Sequence, residues 1–257
     1  MKAIITDLDR TLLHTDKSLS DYTVSVLKKC REKGLLVMVA SARPQRDIKK
    51  RVGEIELDAM AVSNGARIIC GDQMRQFEIP TDTVTNVLNA LKLYPDLRIT
   101  LETGDEAYAN AVFDSYESIY CEDLISIAKK ETVLKLLVGI DNENTVEIVK
   151  KMLSDELYYT VAHSHLMQIM NTSATKWNGI KQMLTSFGIS PEDAVYFGDD
   201  NDDIEPIKNC GLGIAVSNAI PAVLAVADRI IDTNDNDGVA KFIEEYLLNG
   251  ENDENCN

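Results

Sequence analysis

Short, unbroken apolar runs alternate with helix-period segments at both ends of this chain, and that alternation restricts the fold more than anything else in the sequence. Ala3 to Thr6 reads as a strand buried on both faces. Ser20 then stands as an N-cap before Tyr22, Val24, Leu27 and Cys30 at helical spacing, and Gly34 stops that helix. Leu35 to Ala40 is a second apolar run, Pro44 can open a helix at its first turn, and Ala59 to Val62 is a third strand. Strand, helix, strand, helix, strand in that order implies a parallel sheet. The pattern returns further on: helix Lys176 to Phe187 ended by Gly188, strand Ala194 to Phe197, a helix from about Asp203, strand Leu212 to Ala215, helix Ile220 to Ala227 and strand Ile230 to Ile231. The two ends are expected to share one sheet.

Between them, Thr81 to Met170 reads differently. Strand-like runs at Leu97 to Glu102 and Leu134 to Gly139 interleave with helices at Thr83 to Leu93 and Glu143 to Leu153, followed by a hairpin across His163 to His165. At 257 residues the chain is near the size at which one core gives way to two. The expected organisation is a discontinuous core domain, 1–80 and 171–249, with an inserted cap at 81–170 and a polar, acidic tail at 250–257 that frays. Hinges are expected near Ile79 to Asp82 and Met170 to Ala174.

Lys and Arg number 26 against 42 Asp and Glu, a formal net charge of −16 that repels nucleic-acid backbones and anionic membrane surfaces. Neither is expected as a partner. A small anionic substrate is also repelled at long range, so a site that binds one must neutralise it locally with a metal and a few cations. No stretch approaches 18 apolar residues and the N-terminus carries no basic-then-apolar leader, which points to the cytoplasm. Cys30, Cys70, Cys121, Cys210 and Cys256 are odd in number and scattered without a CxxC pair, as reduced thiols would be.

The chemistry-bearing residues fall at strand ends. Asp7 and Asp9 follow the first strand in DLDRTLL, at the carboxyl end of a parallel strand, where open α/β sheets bind ligands. A carboxylate there can hold a hard cation such as Mg²⁺ or act as a nucleophile while its neighbour moves a proton, although two acids in a turn also occur as solvated or capping residues. Ser41-Ala42-Arg43-Pro44, after the second strand, places a hydroxyl and backbone amides at a helix start, a cradle for a phosphate oxygen or a simple N-cap. GDDNDD, Gly198 to Asp203, crowds four carboxylates behind another strand, which a cation shared with Asp7 would relieve; Asp199, nearest the strand end, is the direct ligand expected. Lys176 begins the preceding helix, where a cation can neutralise both an attacking carboxylate and a phosphoryl group.

That ordered set resembles the haloacid dehalogenase superfamily, in its Cof-like branch of hydrolases with a class IIB cap. The first family motif falls on Asp7, Asp9 and Thr11, the second on Ser41 with the branch's Arg at Arg43, the third on Lys176 and the fourth on Asp199 and Asp203. The branch's SNGA appears at Ser63 to Ala66, and its Gly-x-Ala-x-x-Asn-Ala at Gly213 to Ala219. The resemblance implies a Rossmann-like doubly wound parallel sheet under an α/β cap. It implies a Mg²⁺-dependent phosphatase acting on small phosphorylated metabolites, as a monomer or weak homodimer. Asp7 would be nucleophile and metal ligand; Asp9 the general acid and base, its backbone carbonyl also on the metal; Asp199 a ligand; and Asp203 a support for the metal's water shell. Ser41 and Lys176 would hold the phosphoryl group, with Leu8, Ala42, Arg43 and Asp202 also on the phosphate side. A phosphomutase and a weakly active ligand-binding descendant are the alternatives. Two departures stand out: Arg10 replaces the usual Gly, and Asp202 replaces the usual Asn. Specificity is expected from Tyr158, Tyr159, His163, His165 and Met167 of the cap.

Overall fold

A computed structural model describes residues 1–111, 117–142, 144–162 and 165–249. Glu143, His163, Cys256 and the tail at 250–257 lie outside the described residues. The chain divides into two compact units, Met1–Arg75 with Thr175–Asn257, and Gln76–Ala174. The divisions fall at Arg75/Gln76 and Ala174/Thr175, whereas the sequence places the crossings at Ile79 to Asp82 and Met170 to Ala174. Ile79 is buried in the core of the second unit.

The first unit opens with β1 (Ala3–Thr6), α1 (Asp21–Glu32), β2 (Leu36–Ala40), α2 (Gln45–Val52), β3 (Ala59–Val62), β4 (Arg67–Cys70) and β5 (Gln73–Gln76). The second unit holds α3 (Thr81–Leu91), β6 (Ile99–Thr103), β7 (Ala107–Ala109), β8 (Ile119–Tyr120), α4 (Leu124–Ala128), β9 (Val133–Gly139), α5 (Asn144–Lys150), β10 (Leu157–Ala162) and β11 (Leu166–Asn171). The chain returns to the first unit through α6 (Lys176–Ser186), β12 (Ala194–Gly198), α7 (Ile204–Asn209), β13 (Leu212–Val216), α8 (Pro221–Leu224), β14 (Arg229–Ile231) and α9 (Gly238–Phe242).

The first sheet runs β14-β13-β12-β1-β2-β3-β4-β5. Its strands from β14 to β3 are parallel, joined by helices as the sequence alternation requires, while β4 turns back antiparallel to β3. Every residue of β1 and β12 is buried, which is why these runs lack polar alternation. Ile4, Ile5, Val37 and Val39 are wholly inaccessible, each contributing about 1.5–3 kcal/mol by burial. Ser20 caps α1 as expected, its Oγ accepting from the Thr23 N–H at 3.0 Å. Pro44 differs from expectation: with ψ 157 it is still extended, and α2 starts one residue later at Gln45. The helix placed at Ile220 to Ala227 is only the short turn of α8.

The second sheet runs β10-β11-β9-β6-β7-β8 and is antiparallel except for the β7–β8 pair. Val84, Val87 and Leu88 of α3, Leu124 of α4 and Val149 of α5 pack with Leu101, Leu136, Val138 and Ile169 into that unit's own core. Met167, expected to set specificity, is fully buried in this core and Tyr159 packs against it. Tyr158 instead donates its hydroxyl to the Ala174 carbonyl, and the His165 N–H donates to the Ala162 carbonyl in the β10–β11 connection. The cysteines Cys30, Cys70, Cys121 and Cys210 are free, and burial pushes the Cys30 thiol up to about 11 and Cys210 to about 12, so both are inert.

Candidate active site

Each of the separated sequence motifs ends or begins an element at the carboxyl edge of the first sheet. The Asp7 N–H donates to the Phe197 carbonyl at 2.9 Å, so β1 and β12 stop side by side and deliver Asp7 and Asp199 together. Ser41 follows β2, its N–H bonded to the Ala61 carbonyl, and its hydroxyl accepts from the Arg43 N–H at 3.2 Å. Asn64 then donates its N–H to the Ser41 carbonyl. Lys176 opens α6 behind the N-cap Thr175, against the Ser63–Gly65 turn. Gly65 makes that approach possible: it has φ +88, and a Cβ there would lie 2.2 Å from the Thr175 carbonyl oxygen.

Lys176 lies between two carboxylates, with Nζ 2.8 Å from Asp7 Oδ1 and 2.7 Å from Asp203 Oδ1, all three side chains buried. Asp203 also accepts from the Tyr196 hydroxyl at 2.6 Å on Oδ1, and on Oδ2 from the Asp199 and Asp200 N–H groups at 2.9 and 3.0 Å. Four donors occupy the four lone-pair positions of one carboxylate. Gly198 admits this packing, since a Cβ there would meet Asp203 Cβ at 2.5 Å. Asp199 accepts from the Thr11 hydroxyl at 2.9 Å and keeps its other oxygen 3.9 Å from Arg10 Nε.

Asp7, Asp199 and Asp203 bring one carboxylate oxygen each within 4.8 Å of one another. Burial, opposed by Lys176 and reinforced by Asp203 and Asp199, pushes the Asp7 carboxyl well above the usual range. Burial and the Asp203 charge raise Asp199 to about 6. Burial would lower Lys176, but the charges of Asp203 and Asp7 outweigh it and hold the ammonium protonated. Hard oxygen donors with more negative charge than one lysine offsets are a donor set that fits a divalent cation. With Asp203 saturated by its four donors, Asp7 and Asp199 are the carboxylates with oxygens to offer.

Asp9 does not join that cluster. Arg43 clamps its carboxylate through Nε at 2.5 Å and Nη2 at 2.7 Å, and Lys17 Nζ adds a third donor at 2.8 Å. Burial acts to raise Asp9, but these bonds and charges outweigh it and hold the carboxyl below its ordinary value. Leu8 follows Asp7 with its side chain wholly in the core. Asp202 accepts from Asn64 Nδ2 at 2.6 Å. Sequence reasoning missed Tyr196, Lys17 and the Thr11–Asp199 bond. A buried tyrosine hydroxyl needs a partner, and that was the available signal for Tyr196.

The haloacid dehalogenase-like hydrolase family model matches residues 4–243. The chain belongs to that family. It is 26% identical over 262 residues to the 5-amino-6-(5-phospho-D-ribitylamino)uracil phosphatase YitU of Bacillus subtilis, covering 95% of this chain and 97% of that protein. A solved phosphatase of the superfamily from Bacteroides thetaiotaomicron superposes with a TM-score of 0.85 at 22% identity, covering 96% of both chains. A subclass IIB sugar phosphatase gives 0.79 at 20%, covering 96% of this chain and all of the other. The chain is a hydrolase, and its full-length relatives place it among the family's phosphatases. Among the described residues no helix is long and apolar enough to cross a membrane.

Proposed function

We propose that the protein is a Mg²⁺-dependent phosphatase of small phosphomonoesters, sugar phosphates or related metabolites, that works through a phosphoaspartate on Asp7. The observation that carries this reading is the buried Lys176–Asp7 pair beside Asp199, a carboxylate with one oxygen held by an ammonium and the other in no hydrogen bond among the described residues. That second oxygen attacks phosphorus, the ester P–O bond breaks, and the leaving alkoxide takes a proton from Asp9. In the second step Asp9 takes a proton from water as the water attacks the phosphoaspartate, releasing phosphate and restoring Asp7. The ionised Asp9 held by Arg43 and Lys17 is the form the second step needs. The first needs its acid form, so those two cations control the proton transfer.

Asp7, Asp199 and the Asp9 carbonyl would hold Mg²⁺, while Asp203, its acceptor positions filled, would fix Lys176 and the Asp199 backbone around the ion in place of the water-shell role expected from the motif. When bound, the ion neutralises the phosphoryl oxygens. The third N–H of Lys176, the Ser41 hydroxyl and the backbone amides of Leu8 and Ala42 would donate to those oxygens, with Arg43 on the same side orienting Ser41 through its N–H and Asp9 through its guanidinium. Asp202 would sit outermost on the phosphoryl side, where its charge opposes binding, and Asp202→Asn is expected to lower KM. The ribityl phosphate in the name of the Bacillus subtilis relative and the sugar phosphatase among the solved structures favour a polyol or sugar phosphate. A cytoplasmic location fits the acidic, membrane-avoiding composition. Hydrolysis of p-nitrophenyl phosphate with Mg²⁺ and with EDTA tests the reading: turnover that needs Mg²⁺ and disappears in Asp7→Asn supports it. Turnover indifferent to EDTA or retained by Asp7→Asn refutes it.

A further inference from the structure

Arg10 occupies a backbone conformation that residues with a Cβ avoid, φ 60 and ψ 8, in the turn that follows Asp9. Two asparagines hold it there. Asn218 Nδ2 donates to the Arg10 carbonyl at 2.8 Å, Asn218 Oδ1 accepts from the Asn234 N–H at 3.0 Å, and Asn234 Nδ2 donates to the Leu13 carbonyl at 2.9 Å. Strain imposed by surrounding bonds on a residue beside a reactive centre is characteristic of functional positions.

The other cations paired with the site's carboxylates are already committed. Lys176 serves Asp7 and Asp203, while Arg43 and Lys17 serve Asp9. Arg10 is different: its side chain is 51% exposed, its one hydrogen bond among the described residues runs from Nη2 to the Asn218 carbonyl at 3.3 Å, and its nearest carboxylate, Asp199, is 3.9 Å from Nε. A guanidinium presents five N–H donors in a planar fork that matches a carboxylate or phosphate two bonds at a time. In a chain of net charge −16, attraction for an anion has to be supplied by such a local group. Arg10 is the residue after Asp9, the proton donor to the leaving alkoxide, and its exposed guanidinium lies beside Asp199, which puts it on the leaving-group side of the site.

We propose that Arg10 is a specificity-determining residue that binds a second anionic group, a carboxylate or a second phosphate, on the part of the substrate that leaves. This rests on the phosphatase reading above and narrows its substrates to phosphomonoesters that carry another anion. Matched esters test it: glycerol 3-phosphate against 3-phosphoglycerate, and hexose 6-phosphate against hexose 1,6-bisphosphate, with wild type, Arg10→Gly and Arg10→Lys. The expected result is a preference for the doubly anionic member of each pair that falls at least tenfold in Arg10→Gly, through KM, and partly recovers in Arg10→Lys. The melting temperature of Arg10→Gly should stay level or rise, because glycine has no Cβ to strain. A preference ratio unchanged by Arg10→Gly overturns the proposal, as does a loss shared equally by both members of each pair. If wild type hydrolyses none of the esters, Mg²⁺-dependent turnover of p-nitrophenyl phosphate decides the phosphatase reading separately. Calorimetric binding of 3-phosphoglycerate then decides on Arg10: a dissociation constant raised tenfold in Arg10→Gly supports it, and an equal one overturns it.

Discussion

Replacing Asp203 by asparagine removes one charge and one acceptor oxygen from a carboxylate that receives Lys176, Tyr196 and the N–H groups of Asp199 and Asp200. If the new amide nitrogen faces the two backbone N–H groups, both lose their acceptor, at about 1–3 kcal/mol each for buried groups. If it faces Lys176 and Tyr196, the hydroxyl can turn to accept, but the ammonium keeps only Asp7. Breaking a buried ion pair on one side costs about 3–5 kcal/mol. Relief of repulsion with Asp7 and Asp199 returns part of either cost, which leaves an expected loss of about 3 kcal/mol. Asp7→Asn should cost less: it too leaves Lys176 with one carboxylate, but it deprives no backbone N–H group of its acceptor, and burial holds the Asp7 carboxyl above its ordinary value, so the neutral amide removes a charge that opposes folding as pH rises. Urea unfolding at pH 7 in EDTA reads both variants. An Asp203→Asn variant within about 1 kcal/mol of wild type, or an Asp7→Asn variant as destabilised as Asp203→Asn, would refute this account of the cluster.

Further outcomes follow from the same site. Asp199 is raised from 3.8 to about 6, so between those values the folded state binds more protons than the unfolded one. The stability of metal-free wild type relative to Asp199→Asn should therefore fall as pH rises through that window and level off above it, as melting temperatures in EDTA would record. Lys17→Met removes one of three donors to Asp9 and should move the acid limb of the pH–rate profile upward; an unmoved limb would separate Lys17 from proton transfer. Gly65→Ala places a Cβ 2.2 Å from a backbone carbonyl at φ +88, and a loss above about 2 kcal/mol is expected in urea.

How much of this the sequence discloses depends on how local the cause is. β1, β2 and β12 are legible because strands buried on both faces must be apolar throughout. β5, with the sequence QMRQ and largely exposed, carries no such signal, and the two- and three-residue strands β7 and β8 are too short for any periodicity. Asp7, Ser41, Lys176 and Asp199 are legible because the sheet topology places strand ends together, so the order of motifs implies their convergence. The clamp on Asp9 is not: in the sequence Arg43 stands on the phosphate side of its motif and Lys17 belongs to no motif, and only the folded turn aims both at one carboxylate. Arg10 was visible as a departure, but the strain in its backbone and its grip by Asn218 belong to three dimensions.

The most direct measurement of the chemistry is to mix enzyme, Mg²⁺ and p-nitrophenyl phosphate, quench within the first turnovers into hydroxylamine, and locate the product by peptide mass spectrometry. A hydroxamate on Asp7, absent without substrate and absent in Asp7→Asn, is the expected result. Multiple turnovers with Asp7 unmodified, or a hydroxamate at Asp9 or Asp199 instead, would contradict a phosphoaspartate on Asp7.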